Sequence, residues 1–87
     1  MYTLRILGAA SRELARLDKP VAKRIVERIR WLTDNLDNIE PQALKGDWAG
    51  LYKLREGDYR IIYEIIHEEK VILIHSIGHR REVYQKK

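Results

Sequence analysis

The sequence predicts an α+β domain: an N-terminal strand, two helices packed on one face of a small antiparallel sheet, and a C-terminal three-strand meander. Three observations predict it. A short β-prone run opens the chain. Apolar residues then recur at helical spacing as far as Leu36, and the second half switches to strand-length runs rich in Ile, Tyr, Leu and Val. Eighty-seven residues, 45% hydrophobic and 34% charged, supply one core and not two, so residues 1–87 read as a single domain.

Tyr2 to Leu7 (YTLRIL) reads as the first strand, and Gly8 breaks it. Ala9 to Leu17 reads as a helix, with Ala10, Leu14 and Leu17 at helical spacing. Asp18-Lys19-Pro20 then marks a second start. Proline is favoured in a first turn, where its missing N–H has no partner to lose, and Asp18 or Lys19 lies at or beside the cap. Val21 to about Leu36 is the clearest helix. At about 100° per residue, Val21, Ala22, Ile25, Val26, Ile29, Leu32 and Leu36 share one apolar arc, with Arg24, Glu27, Arg28 and Asn35 opposite. Trp31 falls outside the arc. It either packs on the first helix or anchors a partner. Asp37 to Gln42, with Pro41, reads as a loop.

Leu51 to Arg55, Tyr59 to Ile66 and Val71 to Ile77 read as three strands. Their separators, Glu56-Gly57-Asp58 and His67-Glu68-Glu69-Lys70, are hairpin-sized. His79 to Lys87 is a polar ending, read as a short helix or an extended tail. The helices must cover one face of the sheet to bury their stripes. The other face is left open, and its residues decide the function.

Composition narrows the chemistry. With no cysteine, the chain has no disulfides, thiolate metal sites or thiol nucleophile. No apolar run reaches the ~20 residues of a membrane-spanning helix, and the N-terminus lacks a signal-peptide pattern, so a cytoplasmic protein with no membrane contact is expected. Three scattered histidines make no metal-ligand spacing, and there is no glycine-rich phosphate loop, so no metal and no cofactor are expected. His67 reads as a solvated turn residue and His75 as a structural one. A net charge of +4 and a pI near 9.5 suit a polyanionic partner, nucleic acid first. The two halves carry similar excesses, so any basic footprint must be assembled by the fold.

Two segments could assemble it. In Leu51-Tyr52-Lys53-Leu54-Arg55-Glu56-Gly57-Asp58-Tyr59-Arg60, alternation puts Lys53 and Arg55 on one face. A two-residue turn at Glu56-Gly57 would set Arg55 opposite Asp58 and Lys53 opposite Arg60; a bulged turn would change the pairing. Like charges across a ladder repel unless an anion such as a phosphate neutralises them. The plainer alternative is solvated strand positions balanced by Asp58 or Glu64. The second segment, Gly78-His79-Arg80-Arg81-Glu82-Val83-Tyr84, places His, two Arg and Tyr just past the last strand. These are residue types used in proton transfer and in stabilising phosphoryl charge. If the tail curls over the open face, the two segments form one site.

The sequence resembles the RelE/ParE family of toxin–antitoxin toxins. The resemblance covers nearly the whole chain and rests on LKGDWAGLYKLREGDYRIIYEI (Leu44 to Ile65) and IGHRREVY (Ile77 to Tyr84). It implies a neutralising antitoxin that wraps the toxin, with any operator DNA reached only through that complex. RelE-like members are ribosome-dependent endoribonucleases that cut mRNA in the decoding site; ParE-like members inhibit DNA gyrase. Lys53, Arg60, Arg80 and Tyr84 match basic and tyrosine positions of the nuclease branch. Arg55 also falls at a basic position, and His79 at a position held by His or Lys. Either Arg80 or Arg81 would be the catalytic arginine, and either His79 or Tyr84 the base. The basic set points to the nuclease branch over gyrase inhibition or a plain nucleic-acid-binding module. Trp31 is the candidate antitoxin contact.

Overall fold

The computed structural model describes residues 2–83. β1 (Thr3–Ile6) leads directly into α1 (Gly8–Ala15), and α2 (Lys19–Asn35) follows. Pro20 sits in the first turn of α2 behind Asp18 at the N-cap, as the punctuation predicts. A 3₁₀ turn at Leu36–Asn38 ends the helical hairpin. The meander is β3 (Tyr52–Glu56), β4 (Tyr59–Ile66) and β5 (Val71–His79), preceded by a two-residue strand, β2 (Gln42–Ala43).

The strand order is β1-β5-β4-β3-β2, so the expected antiparallel sheet is in fact mixed. β1 runs parallel to β5, from Thr3↔Val71 to Ile6↔Ile74. The hairpins use both edges of β4 and the inner edge of β5. The outer edge of β5 is then available to β1, with the helices inside the long crossover that a parallel pair requires. β2 lies where a loop is expected. It pairs Gln42 with Lys53 and Ala43 with Tyr52. Two residues are too few to show periodicity.

One core lies between the helices and the sheet. Ala10, Ile25, Ile29, Leu32 and Leu36 pack on Leu54, Ile61, Tyr63, Ile72, Ile74 and Ile77. Each fully buried aliphatic of this set contributes about 1.5–3 kcal/mol. Tyr63 is wholly buried and stacks on Tyr52, with ring centroids 5.6 Å apart. Ile62 and Val83 are also fully buried but lie outside this cluster.

Two irregularities set which residues face away from the helices. Gly57 adopts φ +59, a left-handed conformation that favours glycine, at the first position of the β3–β4 turn. The turn residues are therefore Gly57 and Asp58, with Glu56 pairing Tyr59, and not Glu56-Gly57 as one sequence reading has it. In β5, the register slips between Ile62↔Ser76 and Tyr63↔Ile74, leaving His75 as an inserted residue. This bulge moves the core-facing positions from Ile72 and Ile74 to Ile77.

Candidate functional site

Leu54 is buried under the helices, so its neighbours Lys53 and Arg55 turn to the other face of β3. Across the β3–β4 ladder, Arg55 pairs with Arg60 and Lys53 with Ile62. The sequence expectation that Arg55 meets Asp58, and Lys53 meets Arg60, is corrected by one position because the turn begins at Gly57. Like charges still face each other, now as two arginines.

The two guanidinium groups converge on one acceptor. Arg55 Nε donates to the Gly57 carbonyl oxygen at 3.1 Å, and Arg60 Nη1 donates to the same oxygen at 3.2 Å. Arg60 Nη1 also donates to the Tyr59 carbonyl at 3.0 Å. Carbonyl dipoles orient both groups but cancel no charge. Among the described residues, Glu56 is 4.0 Å from Arg28 and Glu64 is hydrogen-bonded to His75, and no carboxylate lies within 4.0 Å of Lys53, Arg55, Arg60, Arg80 or Arg81. Glu64, a candidate counter-charge, is 2.9 Å from His75 instead. Asp58 offers the cluster only its backbone: its carbonyl accepts the Arg80 N–H at 2.8 Å.

That bond continues the β4–β5 pairing one residue past His79. Gly78 pairs with Arg60, and Arg80 lies exposed in the turn that follows β5, tied by that bond to the hairpin loop of Arg55 and Arg60. Gly78 has no side chain to fill the space opposite Arg60. Arg81 lies exposed in the following turn. Tyr84 lies outside the described residues. What the described residues show is a set of oriented cationic donors with no carboxylate within 4.0 Å, a chemistry that suits an anion.

His79 is not brought to this face. It pairs with Tyr59 on the helix side, ring edge against ring at 5.8 Å, and its Nδ1 accepts the Arg81 N–H at 3.2 Å. The bulge is the cause, because without its extra residue the strand phase would turn His79 the other way. Trp31 stays 38% exposed, with the Arg28 guanidinium 4.2 Å from its ring centroid. A groove beside it runs between Ile39–Gln42 and β3, reaching Lys53 and Arg55. Arg28 also donates to the Arg55 carbonyl at 3.2 Å, which ties α2 to the strand below the cluster. Nothing in the sequence marks Arg28 for that role. His67 is exposed, as expected, with Tyr2 Oη 3.5 Å from its Nδ1. Burial, with Tyr52 adding to it, pushes the Tyr63 hydroxyl up to about 12, so this phenol stays neutral. Among the described residues there is no group of three metal-ligating side chains and no helix long and apolar enough to cross a membrane.

The fold recurs in known proteins. A family model described as "ParE toxin of type II toxin-antitoxin system, parDE" matches residues 4–84. The chain belongs to this toxin family. Toxin RelG of Mycobacterium tuberculosis is 29% identical over 89 residues, spanning 98% of each chain. Toxin RelE of the same organism is 31% identical over 84 residues, spanning 97% of this chain and 87% of that one. Among solved structures, the M. tuberculosis toxin–antitoxin complex RelBE2 superposes with a TM-score of 0.81 at 29% identity, covering 91% of this chain and 98% of the other. The fold is therefore that of the RelE/ParE toxins, two helices on a mixed five-strand sheet.

Proposed function

We propose that this toxin is a ribosome-dependent endoribonuclease that cleaves mRNA in the decoding site. The observation that carries the reading is the trio Lys53, Arg55 and Arg60 on the face away from the helices, with no carboxylate within 4.0 Å among the described residues, and Arg80 in the turn after β5. Such a cluster fits an RNA phosphate whose charge increases in the transition state. The ribose 2′-oxygen attacks the adjacent phosphorus and loses its proton; the bond to the 5′-oxygen breaks and that oxygen takes up a proton. The products are a 2′,3′-cyclic phosphate and a 5′-hydroxyl. The nucleophile belongs to the substrate, and the step consumes no cofactor.

Lys53, Arg55 and Arg60 hold the phosphate and its developing charge, and Arg80, or Arg81 from the next turn, serves the leaving side. With His79 on the helix side, the proton-removing role passes to Tyr84. A phenol of ordinary pKa ~10 is a poor base near neutrality, so this role requires cations close enough to lower it. Tyr84→Phe should lose most cleavage if the hydroxyl moves the proton; retention in Phe and loss in Ala would assign base stacking instead.

The partners follow from this reading: mRNA in the ribosome, in the cytoplasm, and a cognate antitoxin like the one bound to the RelBE2 toxin. Trp31 and the groove beside it are the proposed antitoxin contact. Trp31→Ala should weaken antitoxin binding by about 2 kcal/mol while leaving toxicity intact; unchanged affinity with lowered melting temperature would make it a packing residue.

Primer extension on cellular mRNA after induction tests the function. Discrete cleavage sites, lost in Arg60→Ala, are expected. Because the matching family model is named for ParE, gyrase inhibition is the second reading. It predicts intact mRNA and a failing DNA-supercoiling assay.

A further inference from the structure

His79 is a titratable group that the proposed reaction leaves unused. Its ring is held from two sides: Tyr59 packs against it edge-on, and the Arg81 backbone N–H donates to Nδ1. The cavity beside it is lined by Glu13 and Arg16 from α1, Tyr59 from β4, and Glu82 from the terminal turn. These are the charged and titratable groups that face it.

We infer that His79 is a positioning residue for the RNA site: from the helix side of the sheet, through the Arg81 amide, it fixes the turn that presents Arg80 and Arg81. The consequence for cleavage rests on the nuclease reading, whereas the contact itself does not. A backbone N–H can only donate, so Nδ1 is the acceptor of this contact. The turn has three other restraints. Arg80 N–H donates to Asp58 O at 2.8 Å, Glu82 N–H donates to His79 O at 2.8 Å, and Val83 is fully buried. The first ties the turn to the same hairpin loop whose Gly57 carbonyl gathers Arg55 and Arg60. His79 supplies the side-chain restraint, and it acts on the amide immediately after Arg80.

Amide exchange by NMR on the intact chain, run beside cleavage of ribosome-bound mRNA, tests this. His79→Ala removes the acceptor, whereas His79→Asn keeps an oxygen near the Nδ1 position. Exchange at Arg81 should rise roughly tenfold in the alanine variant and return to within about threefold of wild type in the asparagine variant. Cleavage kcat should follow the same order, with KM for the ribosome–mRNA complex unchanged. Unchanged Arg81 protection in His79→Ala overturns the proposal. So does an asparagine variant that protects Arg81 yet cleaves as poorly as alanine, because His79 would then carry a proton. If the wild type cuts no RNA, the nuclease reading falls, and the exchange data alone still decide whether His79 holds the turn. Should the alanine variant not fold, His79→Gln, its acceptor one methylene further out, takes its place.

Discussion

The two faces of the sheet are made by the same strands and do opposite work. Toward the helices, β3, β4 and β5 present Leu54, Ile61, Tyr63, Ile72, Ile74 and Ile77, all buried. Away from them, β3 and β4 present Lys53, Arg55 and Arg60, with like charges paired across the ladder. The first face gains free energy by leaving water. The second is held in a repulsive arrangement that only the first makes affordable, and this leaves its charge available to a ligand. Stability and activity are therefore separable residue by residue along one strand.

The sharpest way to break that separation is on the buried side. Ile61→Ala removes a fully buried side chain and should cost about 2–5 kcal/mol in urea unfolding. Its neighbour tests the reverse. Arg60→Ala should lower cleavage by about 10²–10³-fold while the unfolding free energy holds or rises slightly, by about 0.2–1 kcal/mol, as the repulsion with Arg55 is relieved. If Arg60→Ala unfolds the chain, or Ile61→Ala leaves it as stable as wild type, the division between faces is wrong.

A pH titration sharpens the buried side further. Tyr63 ionises near 12 in the folded chain and near 10.0 when unfolded. Below the lower value both states hold the proton and stability is full. Between the two, only the unfolded chain releases it, so stability should fall by about 1.4 kcal/mol per pH unit. Urea melts of wild type against Tyr63→Phe should diverge in that window and agree near neutrality. The smallest expected effect belongs to the hinge between the faces. Gly57→Ala forces a side chain into φ +59 and should cost about 1 kcal/mol. It should also reduce cleavage, because the Gly57 carbonyl is the shared acceptor of Arg55 and Arg60.

Much of this was legible in the sequence where a period repeats. The stripe from Val21 to Leu36 runs for several turns, and α2 follows it. Lys53 and Arg55 share a face because alternation holds through β3. What could not be read were single-residue events and pairings at a distance. The exchange of Glu56-Gly57 for Gly57-Asp58 changes every cross-strand partner while leaving composition untouched. The face of His79 depends on the bulge at His75. Its one trace in the sequence is the step from Ile74 to Ile77, three residues where an even strand would take two. The parallel docking of β1 on β5 has no local signature at all.

That docking also bears on how the protein is made. β5, the last of the described strands in chain order, lies between β1 and β4, and Thr3 finds its partner at Val71. While the chain grows, the first strand has no edge to join, and α1 and α2 lack much of the surface they cover. Long-range parallel pairing of this kind closes late and slowly. A chain stopped before Val71 would therefore carry the Arg55–Arg60 hairpin without the sheet that holds it rigid. Toxicity should appear only once β5 has been made, which leaves the growing chain until then as an open, unarmed target for any partner that recognises its uncovered strand edges.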